Sequence, residues 1–325
     1  MNVLNRRQLL AAAPLLAAPA VVQAQPAWPN RSVRVIIPFT PGGASDLMMR
    51  PVAERLERML GQSFVIDNRP GGGGAVGVGA AANERPDGYT LLMSTAGPLV
   101  LLPSMMANLP YNPARSFTYI SLMGGAPIVC AVKGDSPIRT LADYATAAKR
   151  SPDAVSFGSS GIGSMGHLTG VLFGMEAGAQ LLHAPFRGAP EAQTAVLGGT
   201  TTSLWDTAAA NVQAIRSGTM RGLCVSSAQR AAILPDVPTA REAGFGNVVS
   251  LNWFMLCAPA GLPPAIAERL SAAVREILAE PAIRERMDSI AFVPGENVPQ
   301  AGLAAWVQGE QQRWAPVVQA SGASM

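Results

Sequence analysis

Short apolar runs alternate with amphipathic stretches along most of this chain. The apolar runs have the length of buried strands, and the amphipathic stretches repeat apolar residues at helical spacing. Strands are predicted at 33–38, 64–67, 90–93, 155–158, 181–184, 201–204, 220–225 and 250–257. Helices are predicted at 46–60, 141–149, 166–175, 191–197, 263–279, 281–289 and 299–320. This alternation predicts an α/β fold with mixed, mostly parallel sheets.

Two segments, 117–133 and 220–237, are interpreted as connections between two lobes. The first contains two strand-like runs around a Gly-Gly pair, and the second ends in Leu-Pro-Asp-Val-Pro. If both segments cross between lobes, residues 25–124 and 229–325 form the first lobe and residues 125–228 form the second. A ligand would then bind in the cleft between the lobes, at the carboxyl ends of strands.

Residues 1–24 have the pattern of a removable export leader. Arg6 and Arg7 precede an apolar run at 9–22, and Val-Gln-Ala at 22–24 fits a cleavage site, which places the cut after Ala24. The run is shorter than the roughly 20 residues that cross a bilayer, and no later segment is long and apolar enough. Asn-Arg-Arg-Gln-Leu-Leu at 5–10 also resembles a twin-arginine signal, so the export route stays open. We expect a soluble periplasmic protein without an integral membrane segment.

The charge is nearly balanced once the leader is set aside. The chain has 24 basic and 21 acidic residues, and the leader holds two of the basic ones, which leaves 22 against 21. The chain has only two lysines, Lys133 and Lys149, and no basic run. This composition gives no support for nucleic-acid binding.

The three cysteines, Cys130, Cys224 and Cys257, each lie in an apolar, strand-like run. An odd number without motif spacing argues against a disulfide framework or a metal site. Because cysteine packs as a small hydrophobe, we expect buried free thiols, although one pair could oxidise after export.

A candidate anion site lies at residues 33–46, Val-Arg-Val-Ile-Ile-Pro-Phe-Thr-Pro-Gly-Gly-Ala-Ser-Asp. An apolar strand runs into a glycine turn and then into the start of a helix, where free backbone N–H groups attract anions. The glycines let the backbone approach a ligand, and Ser45 or Asp46 can cap the helix. Taken alone, the segment fits an anion site and an ordinary turn equally well.

A second loop of this kind is Gly-Ser-Ser-Gly-Ile-Gly-Ser-Met-Gly-His at 158–167. Three hydroxyls, those of Ser159, Ser160 and Ser164, and the open amides are donors suited to a carboxylate, and His167 falls in the first helical turn. The alternative is an exposed flexible turn. If the two loops face each other across a cleft, they form a clamp for a carboxylate.

A third glycine-rich stretch, Arg-Pro-Gly-Gly-Gly-Gly-Ala-Val-Gly at 69–77, matches the G-x-G-x-x-G spacing of a dinucleotide site. The strand that follows, near 90–94, offers no acidic residue for a ribose. We therefore favour close packing of a helix against the sheet, and expect no cofactor.

The serines and histidines do not complete a catalytic or metal-binding motif. No cysteine or carboxylate lies at ligand spacing beside His167 or His183, and no serine of the second loop fits G-x-S-x-G. We interpret His167 as a ligand donor or cap, and His183 as a strand-end residue oriented by a hydrogen bond. We expect no metal and no enzymatic activity.

Two shorter clusters, Ala-Pro-Phe-Arg-Gly-Ala-Pro at 184–190 and Leu-Trp-Asp at 204–206, also follow strands and precede helices. Arg187 could pair with an anionic ligand or remain a solvated surface residue. Asp206 could accept a hydrogen bond from a ligand, or cap the next helix.

At this point several segments together resemble the extracytoplasmic solute receptors of the tripartite tricarboxylate transporters, also called the Bug family. The resemblance covers residues 29–322. The matching segments are Val-Ile-Ile-Pro-Phe-Thr-Pro-Gly-Gly at 35–43, Val-Ile-Asp-Asn-Arg-Pro-Gly at 65–71, Pro-Asp-Gly-Tyr-Thr-Leu-Leu at 86–92, Leu-Pro-Tyr at 109–111 and Leu-Pro-Asp-Val-Pro-Thr at 234–239. Their order and spacing are specific to that family.

The resemblance implies a type II periplasmic-binding-protein fold whose two lobes close on a small organic acid. The protein would deliver this carboxylate, as a monomer, to a membrane permease of one large and one small subunit. The ligand-binding residues implied by the family are Phe39, Gly42, Gly43, Ser159, Ser160, Ser164 and His167, with Ser94, Thr95 and Asp206 added less firmly.

The chain departs from the family where ligand identity is decided. It has Phe186 and Arg187 where the family usually has tyrosine and lysine, and Trp205 where the family usually has phenylalanine. The identity of the ligand therefore cannot be transferred, although Phe186 and Arg187 remain candidate ligand-binding residues. An aromatic acid is conceivable.

Two other functions stay open. A ligand sensor that docks on a membrane signalling protein would use the same pocket. An exported hydrolase using Ser164 and His167 is the third hypothesis, and it lacks a group to orient the histidine.

Overall fold

The computed structural model describes residues 28–152, 154–293 and 298–322. The predicted leader at 1–24 lies outside these residues. Within the described ranges, no helix is long and apolar enough to cross a membrane.

The strands form one mixed sheet. Their bounds are β1 Val33–Ile37, β2 Phe64–Asn68, β3 Thr90–Thr95, β4 Phe117–Lys133, β5 Ser156–Ser159, β6 Leu182–Pro185, β7 Ser203–Thr207, β8 Met220–Val225 and β9 Leu251–Pro259. Their order is β2-β1-β3-β9-β4-β7-β5-β6, and β8 pairs with β4 beside this path. Every strand predicted from an apolar run is present.

Helices cover the sheet. Their bounds are α1 Ala44–Leu60, α2 Ala75–Ala82, α3 Leu141–Ala148, α4 Met165–Ala177, α5 Ala189–Leu197, α6 Ala208–Arg216, α7 Pro264–Ala279, α8 Pro281–Asp288 and α9 Leu303–Ser321. Two consecutive helical turns at Gly97–Leu101 and Leu102–Ser104 were not predicted. Their sequence is apolar almost throughout, so it carries no periodic signal.

The strand directions confirm an α/β fold with a mixed sheet. β1 pairs in parallel with β2 and β3, and β5 pairs in parallel with β6 and β7. Parallel neighbours need a crossover, and here α1, α4 and α5 provide crossovers. β9 is antiparallel to both β3 and β4.

The long strand β4 joins the two groups of parallel strands. Residues 117–127 pair with β9, and residues 128–133 pair with β7 and β8. The sequence suggested two runs separated at Gly124-Gly125, but the strand continues through this pair with a shift in register between Leu122 and Gly124. Gly124 accommodates the bulge with φ of 120° because it lacks a Cβ. The lobe boundaries near 124 and 228 stay a prediction.

The alternation of side chains along β1 and β3 explains how the core is divided. Val35 and Leu91 point to one buried cluster, together with Met48 of α1, whereas Ile36 and Leu92 point to another. Successive strand residues face opposite sides, so the strands of a sheet covered by helices on both faces are apolar at nearly every position. The continuous apolar runs in the sequence have this cause.

The cysteine prediction is confirmed within the described residues. Cys130, Cys224 and Cys257 are free and buried, and burial raises the pKa of each thiol. Cys130 lies opposite Cys224 in the pairing of β4 with β8.

Candidate functional site

Four helix N-termini meet around one cleft. Helices α1, α4, α5 and α6 are the next helices after β1, β5, β6 and β7, with loops of at most six residues between, and the first residues or caps of all four line the cleft. The cleft is lined by Phe39, Thr40, Gly43, Ala44, Ser45, Thr95, Ser160, Ser164, Met165, Gly166, Ala189, Asp206, Thr207 and Asn252, and its volume is about 30 Å³. Each N-terminus carries a partial positive charge, so the cleft favours an anion.

The first turn of α1 presents free donors to this cleft. Its N-cap, Gly43, has no side-chain cap. The N–H groups of Ala44 and Ser45 have no protein acceptor among the described residues. The predicted capping by Ser45 or Asp46 is therefore not the arrangement observed, and the open amides stay available to a ligand.

Asp46 instead fixes the shape of the turn that precedes α1. Its Oδ2 accepts hydrogen bonds from the Gly42 N–H (3.1 Å) and from Arg50 Nε (2.8 Å), and its Oδ1 accepts one from Arg50 Nη2 (2.8 Å). Burial opposes the charged carboxylate, but the hydrogen bonds from Arg50 and Gly42 outweigh this and lower the pKa of Asp46. The Gly42 amide is thus already occupied.

Ser164 caps α4, the helix after the second loop. Its Oγ accepts a hydrogen bond from the His167 N–H at 3.2 Å. The amides of Met165 and Gly166 have no protein acceptor among the described residues. The second loop therefore repeats the arrangement of the first one: a helix start with open N–H groups at the cleft.

Behind the second loop lies a pair of imidazole rings, of which His167 is buried and His183 is half-buried. His167 and His183 are stacked, with 4.0 Å between ring centroids and 19° between planes. His183 Nε2 is 2.7 Å from Ser159 Oγ, and His167 Nδ1 accepts a hydrogen bond from the Gly163 N–H at 3.2 Å. Burial lowers the pKa of His167 to about 4, and burial followed by the neighbouring His167 lowers the pKa of His183 to about 3. Both rings are neutral at neutral pH.

Asp206 is the only ionisable side chain among the cleft-lining residues. Its Oδ2 accepts a hydrogen bond from Ser160 Oγ at 2.5 Å, and its Oδ1 accepts one from the Thr207 N–H at 2.6 Å. Burial raises the pKa of Asp206, although the hydrogen bonds from Ser160 and Thr207 offset part of this effect. The cap of α6 is Thr207 rather than Asp206.

Three polar atoms at or beside the cleft are buried without a partner in the described part of the chain. They are Thr40 Oγ1, Ser94 Oγ and Asn252 Oδ1. Burying an unpaired polar group costs roughly 1–3 kcal/mol, so such groups mark a place where a ligand or water completes the site.

The predicted site residues divide into three groups. Six of the twelve line the cleft: Phe39, Gly43, Thr95, Ser160, Ser164 and Asp206. Gly42, Ser94, Ser159 and His167 are not among its lining residues. Phe186 and Arg187 line an adjoining cavity instead, which also contains Ser160. The role of each as a ligand contact stays a prediction.

Sequence reasoning missed several lining residues. Thr40 belongs to the first loop, and its position between Phe39 and the glycines could have indicated it. Asn252 lies at the start of β9, far from both loops in the chain, and only strand pairing brings it to the cleft. No local signal in the sequence points to it.

The arrangement does not support the hydrolase hypothesis. That hypothesis paired Ser164 with His167, but Ser164 Oγ is bound to the His167 backbone, and the imidazole Nδ1 is bound to the Gly163 N–H. No imidazole nitrogen is thus shown beside the Ser164 hydroxyl to take its proton.

Comparison with known proteins also indicates a solute-binding protein. The family model for "Tripartite tricarboxylate transporter family receptor" matches residues 48–323. Protein BugT of Bordetella pertussis is 33% identical over 99% of this chain and 100% of its own length. The solved periplasmic binding protein BugD has a TM-score of 0.86 at 31% identity, over 91% of this chain and 99% of its own. Rpa4515 of R. palustris, solved with adipate, has a TM-score of 0.87 at 30% identity, over 91% of this chain and 99% of its own.

The fold and the anion-favouring cleft define a solute-binding protein of the periplasmic-binding-protein class. More narrowly, the chain belongs to the receptor family of the tripartite tricarboxylate transporters. The family resemblance read from the sequence is confirmed. The expectation of a binding protein rather than an enzyme is confirmed as well, because the matched family consists of receptors and the solved neighbours are binding proteins.

Proposed function

We propose that this protein captures a small organic carboxylate in the cleft and delivers it to the membrane permease of a tripartite tricarboxylate transporter. The observation that supports this most strongly is the convergence of four helix N-termini on a cleft without a lysine or arginine. Such a site neutralises a carboxylate with amides and hydroxyls. The solved relative Rpa4515 holds adipate, a carboxylate.

In this proposal the two loops grip the carboxylate from opposite sides. The amides of Ala44 and Ser45 come from the lobe at 25–124 and 229–325, and those of Met165 and Gly166 come from the lobe at 125–228. A cleft of about 30 Å³ has room for about two water molecules, so a complete organic acid enters only when the lobes separate. Binding then favours the closed arrangement.

The same proposal includes the cellular location and the oligomeric state of the protein. The leader at 1–24 is removed after Ala24, and the protein acts as a monomer in the periplasm. The sensor hypothesis would use the same cleft, and no contact among the described residues favours it over transport.

Calorimetry of the purified protein with mono-, di- and tricarboxylates tests the proposal. Wild type should bind at least one of them, and Gly43→Val should abolish that binding. Gly43 has φ of −74°, and a Cβ there would lie 3.4 Å from the Thr40 carbonyl oxygen, so the backbone tolerates valine while its side chain takes up cleft space.

Gly246→Val provides the matched control, because a Cβ at this exposed position meets nothing within 4 Å. The control should bind like wild type, and circular dichroism should show both variants folded. A wild-type protein that binds no organic acid would contradict the proposal.

A further inference from the structure

Asp206 places a buried carboxylate in the cleft that is proposed to receive the carboxylate of the ligand. Asp206 is 4% exposed, and it is the only ionisable residue among the described residues that line the cleft. Because the cleft has a volume of about 30 Å³, a ligand carboxyl group held by the amides of α1 and α4 lies beside Asp206. Two carboxylates that share so small a site cannot both remain ionised.

The hydrogen bonds that Asp206 makes are those of an ionised carboxylate. Its Oδ2 accepts one from Ser160 Oγ at 2.5 Å. Its Oδ1 accepts two from Thr207, one from the N–H at 2.6 Å and one from Oγ1 at 3.3 Å. An ionised carboxylate only accepts hydrogen bonds. Burial nevertheless raises the pKa of Asp206, so a further negative charge beside it favours its protonation near neutral pH.

No side-chain cation lies beside Asp206 in the described part of the chain. The other lining residues of the cleft are uncharged, and Val129 of β4 lies opposite Asp206 in the sheet. The ionisable groups of the surrounding elements are paired, neutral or outside the cleft: Asp46 and Arg50 of α1 pair with each other, His167 of α4 and His183 of β6 are neutral, Arg187 and Glu191 line the adjoining cavity, and Arg216 lies in the last turn of α6.

The helix N-termini at the cleft compensate one carboxylate rather than two. The amides of α1 and α4 that have no protein acceptor in the described part of the chain are available to the ligand. At the start of α6, the Thr207 N–H is already bound to Asp206. The attraction of a helix N-terminus for an anion falls off within its first turn, so the amides that hold the ligand do little for a charge on Asp206.

We infer that carboxylate binding is coupled to the uptake of one proton from solvent, which binds Asp206 at Oδ2. This inference rests on the proposed function, which places the ligand carboxylate in the cleft. Oδ1 already accepts two hydrogen bonds, whereas Oδ2 accepts only that of Ser160 and has a lone pair left for a proton. The protonated Oδ2 donates a hydrogen bond to the ligand carboxylate, and Oδ1 remains the acceptor for Thr207.

The uptake of a proton gives binding a defined pH dependence. Above the pKa of Asp206 the free receptor has lost this proton, whereas the complex keeps it up to a higher pH. Between these two pKa values the affinity falls as the pH rises, and Kd increases by up to about tenfold per pH unit. The two histidines of the chain do not contribute at neutral pH, because the pKa is about 4 for His167 and about 3 for His183.

Calorimetry in buffers of different ionisation enthalpy measures the number of protons taken up. The ligand is the tightest binder among acetate, succinate and adipate, which are ionised above about pH 7. Wild type should take up about one proton per ligand at about pH 7.5, and its Kd should rise about threefold to tenfold per pH unit from about pH 6.5 to about pH 8.

Asp206→Asn should bind the same acid without proton uptake and with a Kd that does not change with pH. Its amide keeps the acceptor for Thr207 and has N–H donors in place of the protonated Oδ2. At about pH 8 it should therefore bind at least as tightly as wild type. Asp135→Asn is the matched control, because the Asp135 side chain is 72% exposed and pairs with Lys133. It should keep the proton uptake of wild type.

Absence of proton uptake by wild type, or the same uptake in Asp206→Asn, would overturn the inference while the proposed function stands. Loss of binding in an Asp206→Asn protein that circular dichroism shows to be folded would also overturn it, because binding would then require the ionised carboxylate. Failure of every acid to bind would overturn both the inference and the proposed function.

Infrared difference spectra of wild type test the inference even if Asp206→Asn does not fold. A band of a protonated carboxyl group should appear when the acid binds, and it should not shift when the carboxyl groups of the ligand carry ¹³C. Absence of this band, or a band that shifts with the labelled ligand, would overturn the assignment of the proton to Asp206.

Discussion

The stacked imidazole pair changes the interpretation of His167. The sequence placed this residue in a loop of ligand donors, but its ring stacks on His183 and its Nδ1 accepts the Gly163 N–H. Together with the bond between His183 and Ser159, these contacts hold the backbone of the second loop from behind. The histidines thus support the loop.

The imidazoles should make the protein less stable in acid. Burial lowers the pKa of His167 from 6.5 to about 4, so between these values the unfolded chain binds a proton that the folded protein does not. Stability therefore falls as the pH decreases through this window, by at most about 1.4 kcal/mol per pH unit for each such imidazole. Denaturant titrations from neutral pH down to about pH 4 measure the slope, which should be shallower in His167→Gln.

The difference in slope between the two proteins reports the imidazole pair, because His167 also lowers the pKa of His183. Burial raises the pKa of Asp206, so this carboxyl makes the free energy of unfolding rise as the pH falls, opposite to the imidazoles. Asp206 is present in both proteins, and its contribution cancels when the two slopes are subtracted. Identical slopes for wild type and His167→Gln would show that His167 is not protected from protonation in the folded state.

The three thiols should be unreactive in the folded protein. Cys130, Cys224 and Cys257 have no exposed surface, and burial raises their pKa, so the reactive thiolate is both inaccessible and rare. An aromatic disulfide reagent should modify none of them in native buffer and all three in denaturant.

A Ser217→Cys variant is the positive control, because Ser217 is exposed at the end of α6. It should react immediately under native conditions. In the wild-type protein, a single reactive thiol after unfolding would contradict three free thiols, and Cys130 and Cys224, opposite each other on β4 and β8, would be the first pair to examine for a disulfide.

At the scale of elements, the same unit occurs around the cleft four times: a strand, a short turn and a helix start. Two of these turns were recognised from their glycines and hydroxyls, and the turns before α5 and α6 were recognised as weaker candidates. The glycine-rich turn at 71–74 was assigned to packing of a helix against the sheet. That assignment holds for Gly77, where a Cβ would lie 2.8 Å from Pro38 Cα, but Gly73 contacts the opposite side of the cleft.

Gly73→Ala should therefore weaken carboxylate binding by about tenfold or more, because its methyl group would overlap the Ile162 carbonyl and keep the cleft from closing. Gly72→Ala is a matched control. The two glycines have similar φ, 62° and 54°, so the cost of a left-handed alanine, roughly 1 kcal/mol, is shared. A Cβ at Gly72 meets only Ala75 Cβ, at 3.5 Å.

Calorimetry of both variants, with any acid that wild type binds, separates the contact across the cleft from backbone strain. Equal losses of affinity in Gly72→Ala and Gly73→Ala would count against a role of the Ile162 contact in closure.

At the scale of the whole molecule, one sheet carries both sides of the site. β4 and β9 pass between the two groups of parallel strands, and the cleft lies where the helix starts of both groups meet. A ligand held by α1 and α4 together therefore links distant parts of the chain, and it should stabilise the folded protein as a unit.

A bound carboxylate at about 100 times its Kd should raise the free energy of unfolding by about 2.7 kcal/mol. Urea titrations with and without ligand measure this increase, and the transition should stay a single step. Gly43→Val should show no increase, while Gly246→Val should match wild type. An increase in Gly43→Val equal to that of wild type would show that the ligand binds elsewhere.

Much of the fold could be predicted because its signals are local. The strands at 33–37 and 90–95 contain the apolar runs Val-Ile-Ile at 35–37 and Leu-Leu-Met at 91–93, and the helix start after each loop is marked by glycine and serine. The sequence predicts two separate runs around Gly124-Gly125, whereas the structure has one strand there. Local propensity does not show that β9 continues to pair with β4 across the bulge. The turns at 97–104 are apolar almost throughout, so they carry no periodic signal that predicts a helix.

The sequence by itself determined the α/β class, the family and the two loops with helix starts, because backbone periodicity, turn residues and motif spacing are properties of short segments. Only the tertiary structure decided which side chains face the cleft. Asn252 reaches it through the pairing of β9, His167 turns away from it onto His183, and Gly73 meets Ile162 across it. Each of these contacts joins residues distant in the chain, and their geometry depends on how the sheet and helices pack.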